Sequence, residues 1–135
     1  MARKESISHD YIRESAFNMA REKGIGEVTA RKLAAYAGCS TQPIFRQYNN
    51  MEECLSDVFD DSLSFFDDFY EKFEKGSHVP FVNLGMAYIA FATEEPNLFS
   101  FLFVAKNDNY KKTCEVYSLD LSKIQINKDN KKHIA

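Results

Sequence analysis

The most constraining stretch of this sequence is TARKLAAYAGCSTQPIFRQY, residues 29–48, in which two short helical patterns meet at Gly38. Thr29 stands where a hydroxyl caps the first amides of the first segment. In the second segment Pro43 falls in the first turn, which is the one turn of a helix that tolerates a missing N–H. Gly38 allows a left-handed backbone between them, and the small Ala34 lets the two helices approach closely. The stretch therefore predicts two helices joined by a tight turn.

Helical spacing continues on both sides of this stretch. Ile12, Ala16, Met19 and Ala20 follow an i, i+4, i+7, i+8 pattern, and Gly24 is expected to end that helix as a left-handed cap. Later apolar stripes are Phe59, Leu63, Phe66, Tyr70 and Phe73 in one helix and Phe81, Leu84, Tyr88 and Phe91 in the next, before a short helix from Pro96 to Val104. Nothing alternates as a strand would. We predict an all-α protein with a three-helix head (residues 1–48) and a helical body (residues 49–135) that ends in a polar tail.

Charge is distributed unevenly along the chain, although the net charge is only −3. Residues 1–50 hold eight Lys/Arg and five Asp/Glu, a balance of +3, whereas residues 51–135 hold nine and fifteen, a balance of −6. A basic first third suggests that a polyanionic partner meets these residues. A chance asymmetry explains the same numbers, so charge alone leaves the partner open.

The spacing of the cysteines and histidines and the length of the apolar stretches disfavour several classes of protein. The cysteines (Cys39, Cys54 and Cys114) are far apart without a C-x-x-C pair, and the three histidines are equally dispersed, so we expect no disulfide framework, metal or cofactor. The sequence opens with the polar MARKESISHDY, and its longest apolar stretch, residues 84–92, is about half the length that crosses a bilayer. We therefore expect a cytoplasmic protein without a membrane partner.

The sequence does not support any of the common catalytic patterns either. The stretch KGIGEVT contains G-x-G, but no strand precedes it and no third glycine follows, so it is not a dinucleotide-binding loop. Four aspartates are predicted to lie solvated on the polar face of a helix, namely Asp60, Asp61, Asp67 and Asp68. No Ser/His/Asp or Cys/His set has supporting context, and we expect no enzyme activity.

The second short helix suggests what the helix pair does. Cys39 and Ile44 are expected to point inward, with Tyr48 one turn after Ile44. The exposed positions are then Thr41, Gln42, Pro43, Arg46 and Gln47, which a recognition helix would present to the major groove of DNA. An ordinary helical hairpin has the same pattern, so these residues alone leave both interpretations open.

Residues from about 12 to 55 closely resemble the DNA-binding region of the tetracycline-repressor-like (TetR) family of transcriptional regulators. The matching pieces lie in AREKGIGEVTARKLAAYAGCSTQPIFRQYNNMEECL: a G-x-x-x-x-T opening, the L-A-x-x-A-G core, a small-residue–Ser turn, and I-F-x-x-Y where the family usually has L-Y-x-x-F. Further on, YIAFATEEPNLFSFLF is similar to the junction of the fifth and sixth helices in many members. The resemblance covers roughly residues 10–104.

This resemblance implies a DNA-binding surface on the helix pair. Its members are Thr29, Arg31, Ser40, Thr41, Gln42, Pro43, Phe45, Arg46 and Gln47. The first two would contact phosphates, and residues 41–43 would face bases. Phe45 and Gln47 would lie where the family's Tyr and His approach the DNA backbone.

Two positions depart from the family pattern. Phe45 lacks the hydroxyl that a Tyr gives to a phosphate, and Met51 stands where many members carry a Lys at the start of the fourth helix. Each departure removes a phosphate contact, so we expect lower affinity and a weaker salt dependence than the family usually has.

Aromatic residues of the body have two interpretations. Most simply, they pack helix on helix as core, in a chain with twelve Phe, seven Tyr and no Trp. The resemblance implies instead that some line a pocket for a small apolar effector; these are Phe59, Phe66, Tyr70, Tyr88 and Phe91.

Two functions stay open at this point. The first is a homodimeric regulator that binds double-stranded operator DNA and represses a promoter until a small apolar ligand relieves it. The second is a truncated family member, a weak or dominant-negative protein-interaction module without operator binding. Family members usually end with two more long helices that form the dimer, whereas after Val104 we find at most one marginal helix near residues 114–124. We therefore expect a weak dimer with apolar surface of the fifth and sixth helices exposed.

Overall fold

The computed structural model describes residues 7–104, and these residues form six α-helices with no strand among them. The order is α1 (His9–Lys23), α2 (Ala30–Ala37), α3 (Gln42–Gln47), α4 (Met51–Lys72), α5 (Pro80–Glu94) and α6 (Pro96–Phe99). A 3₁₀ turn (Ile25–Glu27) lies between α1 and α2, and a π-helical turn (Ser100–Val104) follows α6. The all-α prediction is confirmed for this part of the chain. The predicted marginal helix near residues 114–124 and Cys114 lie outside the described residues.

Local signals set the ends of the first two helices. Ser8 caps α1 by accepting from Tyr11 N at 3.0 Å, and Thr29 caps α2 by accepting from Lys32 N at 3.3 Å. Gly24 ends α1 with a φ of 98° and a ψ of 153°. The predicted positive φ is present, but the prediction of a left-handed cap is wrong in ψ. The ψ of Gly24 lies far from the left-handed value, and the chain enters the 3₁₀ turn at the next residue.

One buried core extends through the described helices. It includes all four positions of the predicted α1 stripe, namely Ile12, Ala16, Met19 and Ala20. On α4, Cys54, Val58 and Phe59 are completely buried and belong to the same cluster. Full burial of a side chain such as Val, Leu or Phe contributes roughly 1.5–3 kcal/mol to folding. The first three helices therefore depend on α4 for much of their stability.

The inward face of α5 differs from the prediction at its first turn. Leu84 and Phe91 are buried as predicted, but Phe81 is 49% exposed. Asn83 takes the inward position instead, because its side-chain amide hydrogen-bonds to the backbone of the loop before the helix. Ser77 N donates to Asn83 Oδ1 at 3.0 Å, and Asn83 Nδ2 donates to Ser77 O at 2.9 Å.

The outer face of α5 is apolar as well. Val82, Met86 and Ile89 are exposed, and Ile89 is the most exposed of the three at 70%. No charged residue occurs between Pro80 and Thr93. A helix that is apolar on both sides is typical of one that packs on both sides.

Gly38→Ala is expected to lower the free energy of unfolding by about 1 kcal/mol, because alanine is strained at a φ of 78°. An added Cβ meets no atom within 4 Å there, so the cost comes from the backbone alone. Gly26→Ala is the matched control, since its surroundings are equally open and its φ is not positive. We expect a change within about 0.5 kcal/mol for the control, measured by chemical denaturation. Equal losses in both variants would contradict the left-handed turn.

Candidate nucleic-acid interface

The turn between α2 and α3 is closed by hydrogen bonds around Gly38. Its φ of 78° and ψ of 33° are the left-handed conformation that the sequence predicts. Cys39 N donates to Ala34 O at 2.9 Å, and Gly38 N donates to Ala35 O at 3.3 Å. These bonds satisfy the last carbonyls of α2 and determine where α3 begins.

Two buried side chains attach α3 to the core. Ile44 is completely buried, and Tyr48, which follows the last residue of α3, is 4% exposed. Both belong to the cluster that α1 and α4 build. Cys39, which we predicted to point inward, is half-buried. The inner side of α3 is therefore as the sequence predicts.

None of the nine positions predicted to contact DNA is buried. Seven are exposed, namely Thr29, Arg31, Ser40, Gln42, Phe45, Arg46 and Gln47, and two are half-buried, namely Thr41 and Pro43. Those that belong to α3 lie around the side of the helix that faces away from Ile44. The structure thus leaves these side chains accessible to a partner.

Tyr48 connects the end of α3 with both α4 and α1. Its hydroxyl donates to Asp57 Oδ2 at 2.7 Å, and His9 Nε2 lies 3.6 Å from the same oxygen. The rings of His9 and Tyr48 are 4.8 Å apart between centroids. Burial, and then the hydrogen bond to Asp57, raise the pKa of Tyr48 above its ordinary value. Tyr48 therefore remains a protonated donor at any physiological pH.

Arg13 joins α1 to α4 through two carboxylates. Its Nε and Nη2 donate to Asp61 Oδ2 and Oδ1, both at 2.8 Å, and its Nη1 lies 3.5 Å from Asp57 Oδ1. The hydrogen bond to Asp61 is the main cause that raises the pKa of Arg13 above its ordinary value. Together with the hydrogen bond from Tyr48 to Asp57, the Arg13–Asp61 ion pair determines how α1, α3 and α4 are oriented.

Sequence reasoning missed this network. The prediction that Asp61 is a solvated surface residue is wrong, because its partner Arg13 lies 48 residues earlier in the chain. Asp60 is half-buried, while Asp67 and Asp68 are exposed. The only available signal is weak: Asp57 and Asp61 are four residues apart and so share one face of α4.

The far end of α1 is joined to the corner between α5 and α6. Arg21 Nε and Nη2 donate to Glu95 Oε1 and Oε2 at 2.8 and 2.6 Å, and Asn97 Nδ2 donates to Arg21 O at 2.9 Å. The guanidinium carbon of Arg21 also lies 4.7 Å from the centre of the Phe65 ring on α4. Bidentate arginine–carboxylate pairs have a defined geometry. The orientation of α1 therefore depends on the body of the protein.

The aromatic residues predicted to line an effector pocket pack against one another. Phe59, Phe66 and Phe91 are almost completely buried, while Tyr70 and Tyr88 are half-buried. Centroid distances from Phe66 are 4.9 Å to Phe91 and 5.3 Å to Tyr88. This arrangement is that of a packed core. A cavity of about 360 Å³ opens elsewhere, between α1 and α4.

Within residues 7–104, no helix has the length and apolar character needed to cross a membrane. No group of three or more His, Cys, Asp or Glu in that range is arranged to bind a metal ion. Burial raises the pKa of Cys54 to about 11, so its thiol is protonated and unreactive at neutral pH.

Three helices of which the second and third meet in a left-handed glycine turn have the arrangement of a helix-turn-helix motif. Residues 12–58 match the family model described as "Bacterial regulatory proteins, tetR family". This segment is therefore similar to the N-terminal helix-turn-helix domain of tetR-family regulators, and it includes the α2–turn–α3 unit. The match continues past residue 48 into α4. Comparison with curated proteins gives no match, and comparison with solved structures gives none either.

Tyr48→Phe is expected to lower the free energy of unfolding by about 1.5 kcal/mol, because the charged Asp57 loses a hydrogen-bond donor. Tyr11→Phe is the control. Its hydroxyl donates to the neutral Ala37 O at 2.9 Å from a side chain that is nearly half exposed, so about 0.5 kcal/mol is expected. Denaturant titration of both variants measures the difference. A larger loss for Tyr11→Phe would contradict the importance assigned to the Tyr48–Asp57 bond.

Proposed function

We propose that this chain represses a promoter by binding a specific operator through α3, and that a small apolar ligand relieves the repression. The main observation in favour of the proposal is that α3 has one buried side and one exposed side. Ile44 and Tyr48 bury its inner side, while Gln42 and Arg46 are exposed on the other side. A short helix fixed in this way presents side chains to the major groove without having to order itself on binding.

The proposed contacts divide into two kinds. Gln42 lies in the first turn of α3 and reads a base edge, since a glutamine amide pairs with both polar atoms that adenine shows in the major groove. Thr41 and Pro43 face neighbouring bases. Arg46 lies one turn later and contacts a phosphate, as do Thr29 and Arg31 from the α2 side.

The N-terminus of α4 supports a weak dependence of binding on salt. Met51 brings no charge there, and Glu52 and Glu53 make the first turn acidic. Glu53 accepts from Asn49 N and Asn49 Nδ2, both at 3.1 Å, so this turn is ordered as well as acidic. Few counterions are then released when the protein binds DNA, and base contacts supply a larger share of the affinity.

Relief by a ligand is the finer part of the proposal. Its support is the aromatic cluster of the body together with the contacts that join α1 to the α5–α6 corner. A ligand that separates Phe66 from Tyr88 would disturb Glu95 and Asn97, and through them Arg21 of α1. Titration of the operator complex with flat apolar compounds, followed by fluorescence anisotropy, tests this step. Release of DNA without loss of helical circular dichroism supports relief; release only on unfolding contradicts it.

A second candidate function is supported by the outer face of α5. Its exposed Val82, Met86 and Ile89 suit a protein-interaction module that does not bind an operator. Such a module would associate with protein but would select no DNA sequence. The two candidates therefore predict different results when the protein is offered a pool of DNA sequences.

Selection of bound fragments from a random DNA pool tests the proposed function most directly. The full chain is incubated with the pool at low salt, and bound fragments are sequenced over several rounds. We expect a two-fold symmetric consensus whose half-sites lie about one helical turn apart, because a dimer reads two half-sites. If a folded sample selects no consensus, the second candidate is favoured.

Gln42→Ala and Arg46→Ala are expected to impair binding differently. Loss of Gln42 should cost about 1–3 kcal/mol and relax the preference at one base pair. Loss of Arg46 should weaken all sequences alike and lower the slope of log K against log salt by about one. Anisotropy titrations on the consensus and on single-base variants, at several salt concentrations, separate the two effects. An equal loss of specificity in both variants would mean that α3 is oriented differently on DNA.

The chain is expected to dimerise weakly, with a dissociation constant on the order of micromolar or higher. The apolar side chains that α5 exposes for association are few, Val82, Met86 and Ile89 among them, so a weak interface is expected. Analytical ultracentrifugation over a concentration series measures the constant. Ile89→Lys should shift the equilibrium towards monomer, whereas Ser64→Lys, on the exposed side of α4, should not. A dimer that persists at nanomolar concentration would contradict the expectation.

A further inference from the structure

Phe45 is an apolar side chain on α3, whose other exposed residues, Gln42, Arg46 and Gln47, are polar. It is 48% exposed, and its neighbours Arg46 and Gln47 are exposed polar residues. All twelve phenylalanines lie within the described residues, and only Phe45 and Phe81 among them are exposed. Exposing a phenylalanine leaves its apolar surface in contact with water, so a partner that covers the ring gains free energy.

The position of Phe45 on α3 determines which part of DNA it meets. It follows Gln42 by three residues, so the two side chains lie on adjacent turns of the same helical face. Gln42 is the residue proposed above to read a base edge, and the present inference rests on that proposed function. Phe45 is also nearer than Arg46 to the N-terminus of α3, the end of a recognition helix whose residues contact base edges, so its ring can reach the major groove beside Gln42.

The chemistry of the ring excludes most contacts in the groove. Phenylalanine has no donor for a phosphate and no donor or acceptor for the polar atoms of a base edge. The C5-methyl of thymine is the apolar group that the major groove exposes, and phenylalanine is among the side chains that suit it. The role on the DNA backbone implied by a tyrosine at this position therefore does not transfer to Phe45.

We propose that Phe45 is a specificity-determining residue that contacts the C5-methyl of one thymine in each half-site. Selectivity for thymine at that position comes from burial of the methyl group against the ring. Burial of one methyl-sized group is worth roughly fourfold in affinity. Gln42 and Phe45 then read adjacent positions, one by hydrogen bonds and the other by apolar contact.

Replacement of single thymines by deoxyuracil in the selected consensus tests the proposal, because uracil lacks only the methyl group. Affinities are measured by anisotropy for the unmodified protein, Phe45→Ala, Phe45→Tyr and Phe81→Ala. Phe81 is the matched control, since it is 49% exposed and lies on α5. Circular dichroism of each variant checks that it is folded, which is expected because both side chains are exposed.

We expect one thymine in each half-site whose replacement weakens binding by the unmodified protein roughly fourfold. Phe45→Ala should bind the consensus more weakly and lose this sensitivity, while Phe45→Tyr, which keeps the ring, and Phe81→Ala should retain it. If Phe45→Ala is as sensitive as the unmodified protein at every thymine, the ring lies against the backbone and the proposal is overturned. The same holds if the consensus has no thymine beside the base that Gln42 reads. Failure of the folded protein to select any consensus would instead overturn the operator-binding function on which the proposal depends.

Discussion

α3 contains six residues, which is too few for a helix to be stable on its own in water. Its conformation therefore depends on burial of Ile44 and Tyr48 against α1 and α4. Each of these side chains contributes on the order of 1.5–3 kcal/mol when fully buried, more than the intrinsic preference of so short a segment supplies. The outer side of α3 then has no part in holding the fold together, and its residues are available for recognition. Every DNA contact proposed for α3 depends on this one packing arrangement.

The polar contacts around α1 act on orientation more than on stability. Side chains of Arg13 and Arg21 are 32% and 41% exposed, and ion pairs of that kind contribute roughly 0.2–1 kcal/mol. Their bidentate geometry nevertheless permits only a narrow range of positions for α1. One pair fixes α1 against α4 beside Tyr48, and the other fixes it against Glu95 at the α5–α6 corner. A change in the body would therefore reach the head through α1, as the proposed relief by a ligand requires.

The two departures from the family pattern act in the same direction in the proposed complex. By the resemblance to that family, Met51 and Phe45 each stand in place of a side chain that would contact phosphate. Loss of phosphate contacts lowers affinity for all sequences alike, whereas an apolar contact with a thymine methyl raises affinity for some sequences only. The ratio of specific to non-specific binding is therefore raised by the methyl contact, although the affinity for all sequences is lowered by the lost phosphate contacts. That ratio is the quantity on which a regulator depends in the presence of a whole genome.

The sequence by itself determined the features that arise from neighbouring residues. The cap at Thr29, the left-handed turn at Gly38 and the inward side of α3 are decided within a few residues, by backbone conformation and helical period, and so they could be predicted. The partner of Asp61 lies 48 residues away and that of Arg21 lies 74 residues away, and no local pattern selects one arginine over another. Phe81 was assigned inward because it continues a helical stripe, yet Asn83 takes that side to satisfy the loop at Ser77. Only the tertiary structure decided these pairings, because the energy of a buried or paired polar group depends on which elements pack beside it.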